Sequence, residues 1–250
     1  MTVMWSLSII ATALLTMAFY PALSQTGIGQ IVNSVPSSLQ SLIGSAQSFK
    51  TIPGYIDQQI YGPNMLILII AFAVILFISL SVTDEDRGTL QTLLTMPISR
   101  QRVYIDKLLA GLTILGIACL CIAIGTFLGL AMIHDHASAP RLLESTFVCW
   151  LLSACYGVIA FSIGTAIGKR GITIALASIY AFGSFIISSL APAVKALHTI
   201  DKFSLLHYYN TKPVMEHGIY WGSDIVFIIV SLALIIVSIV IFQRRDINMS

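Results

Sequence analysis

Charge is what this sequence has least of. Asp, Glu, Lys and Arg together make up 10% of its 250 residues, against a hydrophobic share of 57%. A soluble domain carries about 25% charged and 45–50% apolar residues, and a chain of this length cannot hide the excess in one core. Mean hydropathy is correspondingly high, +0.91. The deficit excludes an ordinary soluble enzyme or binding module. It is also uneven: six long apolar blocks contain no Lys or Arg at all, and their only carboxylate is Asp224, at the edge of the last block.

Other absences narrow the reading further. The four cysteines, Cys119, Cys121, Cys149 and Cys155, all fall inside the apolar blocks, so no loop carries a disulfide framework. They read as small apolar residues within the membrane. A nucleotide site needs a glycine-rich loop ending in Gly-Lys-Ser/Thr. The one Gly-Lys pair, Gly168-Lys169, is followed by Arg170 and has Ile163 where the leading glycine belongs. Proton-coupled transporters place carboxylates or histidines at membrane depth, and the interiors of these blocks hold neither. No period-2 alternation runs through them, which excludes a transmembrane barrel.

What remains is six stretches of the length a helix needs to cross a hydrocarbon core about 30 Å thick. They run over residues 3–23, 64–82, 108–133, 145–168, 172–191 and 224–242. Backbone groups in lipid must pair within their own segment, so each is expected to be a helix. The predicted fold is all-α: residues 1–250 as a single polytopic transmembrane domain with six crossings. Residues before Val3 include no basic stretch, so the first block is read as a retained span and not a cleaved signal peptide.

The cations set an expected orientation. Arg87, Arg100, Arg102, Lys107, Lys169, Arg170, Arg244 and Arg245 fall on one side, mostly in short segments close to span ends. Lys50, Arg141, Lys195, Lys202 and Lys212 fall on the other, in longer loops. Positive-inside logic places the first side, with both termini, in the cytoplasm. With the basic residues assigned to membrane flanks, a net charge of +2 gives no reason to expect nucleic acid.

The outer loops are then 24–63, 134–144 and 192–223. In the first, Leu39, Leu42, Ile43 and Phe49 lie at near-helical spacing between Pro36 and Pro53, which suggests a short amphipathic helix at the interface. The third carries Phe203, Tyr208, Tyr209, Tyr220 and Trp221, read as interfacial anchors. His134-Asp135-His136 has metal-ligand chemistry, but neighbouring residues rarely converge on one ion and no fourth ligand is evident, so it reads as a polar turn. His198, His207 and His217 share one loop with no nucleophile motif beside them. No catalytic, metal or cofactor site is expected in the chain.

The inner loop 83–107 is the informative one. Asp84, Glu85 and Asp86 precede a stretch with Leu90, Leu93 and Leu94 on one helical face, an arrangement that suits the helix dipole. Pro97 ends that stretch, and Ser99 is placed to cap the next helix, which carries Arg100 and Arg102. A short surface helix with an exposed leucine ridge is a docking element for a partner's groove; a solvated connector is the plainer alternative.

This loop closely resembles the acidic, Arg-Gly-Thr-Leu, Leu-Leu, Pro-Ile-Ser-Arg signature of permease subunits in type-2 ABC transporters. Further resemblances follow in order along the chain: Phe19-Tyr20-Pro21, then Ser204-Leu205-Leu206-His207-Tyr208-Tyr209, then Phe242-Gln243-Arg244-Arg245-Asp246. Two departures stand out. Leu205 replaces the family's proline, and the sequence enters the membrane almost at Met1, where family members carry an amphipathic elbow helix.

The resemblance implies the membrane subunit of an ATP-driven exporter of a hydrophobic or amphipathic substrate such as a drug, peptide or lipid-like molecule. It implies a second permease subunit, as homodimer or heterodimer, and a separate cytoplasmic ATPase that binds ATP and Mg. A bacterial plasma membrane is the implied location. Glu85, Arg87, Gly88, Thr89, Leu90, Leu93, Leu94 and Pro97 would form the coupling helix that docks on that ATPase. The rivals are an ion-coupled secondary transporter and a non-transport immunity or assembly protein of the membrane.

Overall fold

The computed structural model describes residues 2–25, 49–86, 99–191, 194, 196–209, 214–219 and 221–244. Among the described residues there is no strand, and six helices are long and apolar enough to cross a membrane. They are α1 (Thr2–Gln25), α3 (Pro63–Asp86), α4 (Arg100–Met132), α5 (Ala139–Ile167), α6 (Arg170–Leu190) and α10 (Trp221–Arg244). Four short helices lie between them: α2 (Ile52–Tyr55), continued by a π-turn over Ile56–Ile60, then α7 (Leu197–Asp201), α8 (Leu205–Tyr209) and α9 (Val214–His217).

α5 is the central post. It packs along α3, α4, α6 and α10, whereas α1 lies chiefly on α4. Close approach of α1 is made possible by Gly125 and Gly129 on α4. A Cβ at Gly125 would stand 2.9 Å from the Ala13 Cβ, and one at Gly129 would stand 2.5 Å from the Met17 Cβ. Small residues four apart let membrane helices meet backbone to backbone, where dispersion contacts are strongest. α5 ends at Gly168, whose φ of 70° is left-handed and whose N–H returns to the Gly164 carbonyl at 2.8 Å. Glycine adopts that conformation at no steric cost and so ends the helix sharply before Lys169.

The connectivity places Asp86, Arg100, Gly168, Arg170 and Arg244 at one end of the bundle, here called the basic end. Apolar length sets where a helix crosses lipid but not where it stops. α4 begins at Arg100, eight residues before the apolar run at Leu108, and projects about 12 Å beyond it at 1.5 Å per residue. α3 likewise continues through Glu85 to Asp86. Within the inner segment 83–107, residues 83–86 continue α3 and the helix expected after Ser99 is the start of α4.

The far end departs from expectation in two respects. Pro53, read as a boundary, instead sits in the first turn of α2, where Thr51 caps the helix by accepting from Gly54 N at 3.3 Å. A proline there forfeits no helical hydrogen bond, because first-turn N–H groups have no intrahelical partner. Tyr55, Ile56, Ile60 and Tyr61 behind it are buried in the core. Of the expected interfacial helix, residues 36–48 lie outside the described residues and Phe49 is buried. The aromatic anchors divide: Phe203 and Trp221 are 81% and 60% exposed, whereas Tyr209 turns inward to donate to the Tyr61 carbonyl at 2.7 Å. Burial pushes the Tyr209 phenol well above its ordinary pKa, so it stays a donor. Tyr220 lies outside the described residues.

Candidate functional site

At the basic end the structure places the two anchors of the expected coupling segment. Glu85 is in the last turn of α3. Arg87, Gly88, Thr89, Leu90, Leu93, Leu94 and Pro97 lie outside the described residues. On the other side Ser99 is extended (φ −68°, ψ 142°), and its hydroxyl accepts from Arg102 N at 3.4 Å, the cap expected from the sequence. Arg102 and Asp106 form an exposed pair at 3.9 Å, a contact of the kind that adds little stability.

One turn into α4, Tyr104 is fully buried. Its hydroxyl hydrogen-bonds the Ser238 hydroxyl of α10; Ser162 of α5 donates to the same Ser238 oxygen at 3.3 Å, and Ser238 donates to the Ile235 carbonyl at 3.3 Å. The Tyr104 ring meets Phe161 edge-on at 5.1 Å and lies 5.9 Å from Phe242; Phe161 in turn meets Phe77 of α3 at 6.1 Å and 87°. Phe77 is seated between two glycines, since a Cβ at Gly157 would come within 2.5 Å of its ring and one at Gly111 within 2.9 Å. Four spans thus lock together within about three turns of the ends of α3 and α4 that face the connection between them. Packed interiors of this density transmit displacement instead of absorbing it.

The far end is closed by a second polar system. Both oxygens of Asp57 accept from Met215 N, at 3.1 and 3.2 Å, which ties α9 to the π-turn. The Tyr61 and Thr146 hydroxyls lie 2.7 Å apart, and Tyr55 donates to the Thr16 carbonyl at 2.7 Å. Asp201 has His207 Nδ1 2.6 Å from Oδ2 and the Ser188 hydroxyl 2.6 Å from Oδ1, with Ser204 2.8 Å from Ser188. This arrangement is structural in character. The serine reaches the carboxylate and not the imidazole, so no nucleophile is activated. At the turn after α4, Asp135 Oδ1 accepts from His136 N at 2.8 Å, committing that carboxylate oxygen to its own backbone.

Sequence reasoning missed both systems. The signals were Ser162 and Ser238 inside apolar spans, and a tyrosine five residues past a capping serine. Neither has a spacing rule that reveals its partner. Asp57 and Asp201 were hidden in segments read as loops.

The sequence matches the family model described as "ABC-2 family transporter protein" over residues 2–247. The chain belongs to the ABC-2 transporter family. None of the curated proteins matches it. The type-2 permease resemblance of the inner loop and the six-span all-α bundle therefore agree with a match that covers essentially the whole chain. This ABC-2 protein is a multi-pass membrane permease subunit of an ABC transporter.

Proposed function

We propose that this ABC-2 permease exports a hydrophobic or amphipathic substrate, driven by a separate ATPase subunit that binds ATP and Mg and docks on the connection between α3 and α4. Glu85, Arg87, Gly88, Thr89, Leu90, Leu93, Leu94 and Pro97 supply the docking element, and a second permease subunit completes the pathway. Both termini face the cytoplasm of a bacterial plasma membrane, the side on which Arg100, Arg102, Lys169 and Arg170 cluster.

The observation that carries this reading is the joint beside the connection. A push on the start of α4 reaches α10 and α5 through Tyr104, Ser238 and Ser162, and reaches α3 through Phe161 and Phe77.

The test is a paired substitution, Leu90→Asp with Leu93→Asp. The variant is expected to insert normally, yet fail to co-purify an ATPase in mild detergent and lose ATP-driven transport in proteoliposomes. Transport that survives the double substitution would refute docking through this segment.

A further inference from the structure

Helices α5 and α10 run side by side in a fixed register. Ser162 bonds Ser238, a separation of 76 residues, and the Cys155 thiol lies beside the Ser231 hydroxyl at that same separation. Carried one heptad farther towards the far end, the register sets Asp224 opposite Val148, with Ser145 less than one turn away on the same stripe of α5. Side chains on a helix lean towards its N-terminus. Both helices run from the far end to the basic end, so the Asp224 carboxylate leans towards the level of Ser145.

Two buried polar atoms in this seam have no partner among the described residues. Asp224 is 4% exposed and its Oδ2 accepts no hydrogen bond; Ser145 is 1% exposed and its hydroxyl makes none. The contrast with neighbours is direct. Thr146 and Ser153 on the same helix each donate to the carbonyl four residues back at 2.7 Å, the usual way such hydroxyls are satisfied in a membrane helix. Arg141, a turn farther out, is held by Glu144 at 2.9 Å. An ionised carboxylate buried without a counter-ion is costly, and such residues at the ends of membrane segments are candidates for ligand sites. The first-turn position on α10 offers partial relief through the helix dipole, but it leaves Oδ2 and Ser145 unexplained.

We propose that Asp224 and Ser145 form a binding site for a monovalent cationic group, the carboxylate supplying the charge and the hydroxyl accepting a hydrogen bond from an ammonium or coordinating a small ion. Asp224 lies in the first turn of α10, so a bound head group would sit at interfacial depth with its tail directed into the apolar region. This names a cationic amphipath as the cargo class and rests on the export reading. The two fail separately, because binding to the isolated permease needs no ATPase whereas co-purification of the ATPase needs no cargo.

The probes are dodecylammonium, its neutral match dodecanol, and sodium ions, each added to the full chain in lipid nanodiscs. Hydrogen exchange is followed in the first two turns of α10. Dodecylammonium is expected to protect these amides saturably while dodecanol does not. Asp224→Asn should weaken the effect about tenfold or more, as loss of a charge-assisted contact does, and Ser145→Ala should weaken it to a smaller extent. Sodium that protects the same amides or displaces the amine assigns the site to small ions as well; indifference to sodium assigns it to the amine head, and either result supports a cationic site. Equal responses in wild type and Asp224→Asn would overturn the proposal. So would an Asp224→Asn variant that merely melts earlier while neither cation protects the wild-type helix, the result expected of a carboxylate serving only the helix dipole.

Discussion

The Tyr104 hydroxyl meets the Ser238 hydroxyl inside the bundle although 134 residues separate them in the chain. Tyr104 stands one turn after the capped start of α4 and Ser238 near the end of α10, so the bond ties the span that follows the proposed docking segment to the last span. Removing the phenol oxygen with Tyr104→Phe keeps the ring contacts with Phe161 and Phe242. The expected cost in stability is modest, about 1 kcal/mol for one net hydrogen bond. The expected cost in function is larger: substrate moved per ATP hydrolysed should fall while ATPase binding persists. Transport and hydrolysis measured on the same proteoliposomes check this, and an unchanged ratio would remove Tyr104 from the coupling path.

A steric prediction concerns Phe77. Because a Cβ at Gly157 would stand 2.5 Å from its ring, Gly157→Ala forces the ring or the α5 backbone to move. Overpacking of this kind costs about 1–3 kcal/mol. Phe77→Leu should recover part of the loss in the double variant by vacating the ring volume, although it leaves a cavity when made alone. Thermal denaturation in detergent of the two single variants and the double variant gives the coupling energy. Additive losses would mean that the contact does not decide the packing.

How much of this was legible beforehand depended on which force wrote the feature. The six crossings were readable because exclusion of charge from hydrocarbon acts on every residue of a span, so blocks such as 64–82 and 108–133 announce themselves. The Ser99 cap was readable because it is local, acting between residues three apart. The apolar spans were shorter than the helices that contain them for a related reason. Between Arg100 and Leu108 the apolar run is interrupted by Arg102, Asp106 and Lys107, so apolar length alone does not reach the helix start, although Val103 and Tyr104 are buried there. The long-range polar contacts were out of reach. Asp57 to Met215 spans 158 residues, and one sequence holds no trace of which backbone amide a carboxylate will find. The docking residues from Arg87 to Pro97 rest on pattern and family resemblance.

The cluster around Asp201 makes a further prediction. Asp201→Asn retains the shape but swaps an acceptor oxygen for an amide, which then faces either the His207 ring nitrogen 2.6 Å from Oδ2 or the Ser188 hydroxyl 2.6 Å from Oδ1. The hydroxyl or a neutral ring nitrogen can accept from that amide, so both contacts can persist, but both lose their charge assistance, a destabilisation of about 1–3 kcal/mol. Limited proteolysis should then cut the 197–209 region sooner than in wild type, while Ser204→Ala, at the margin of the network, has a smaller effect. Equal cutting in all three proteins would show that the cluster does not hold these helices down.

Asp57 permits the most local test. Its two oxygens accept from the single backbone amide of Met215, and Met215 itself is buried. This is an anionic acceptor on a first-turn N–H that has no intrahelical partner, since Met215 is the second residue of the short helix α9. A four-residue helix has no stability of its own, because nucleation costs more than one turn returns. Asp57→Ala should therefore release α9 without melting the bundle. The Met215 amide should exchange on the order of tenfold faster, as expected for loss of a contact worth about 1.5 kcal/mol. Amides in the centre of α5 should be unchanged. Asp57→Asn, which can still accept through one oxygen, should fall between the two. If exchange instead rises across α5 as well, Asp57 supports the whole far end of the bundle, and the closure there is one cooperative unit.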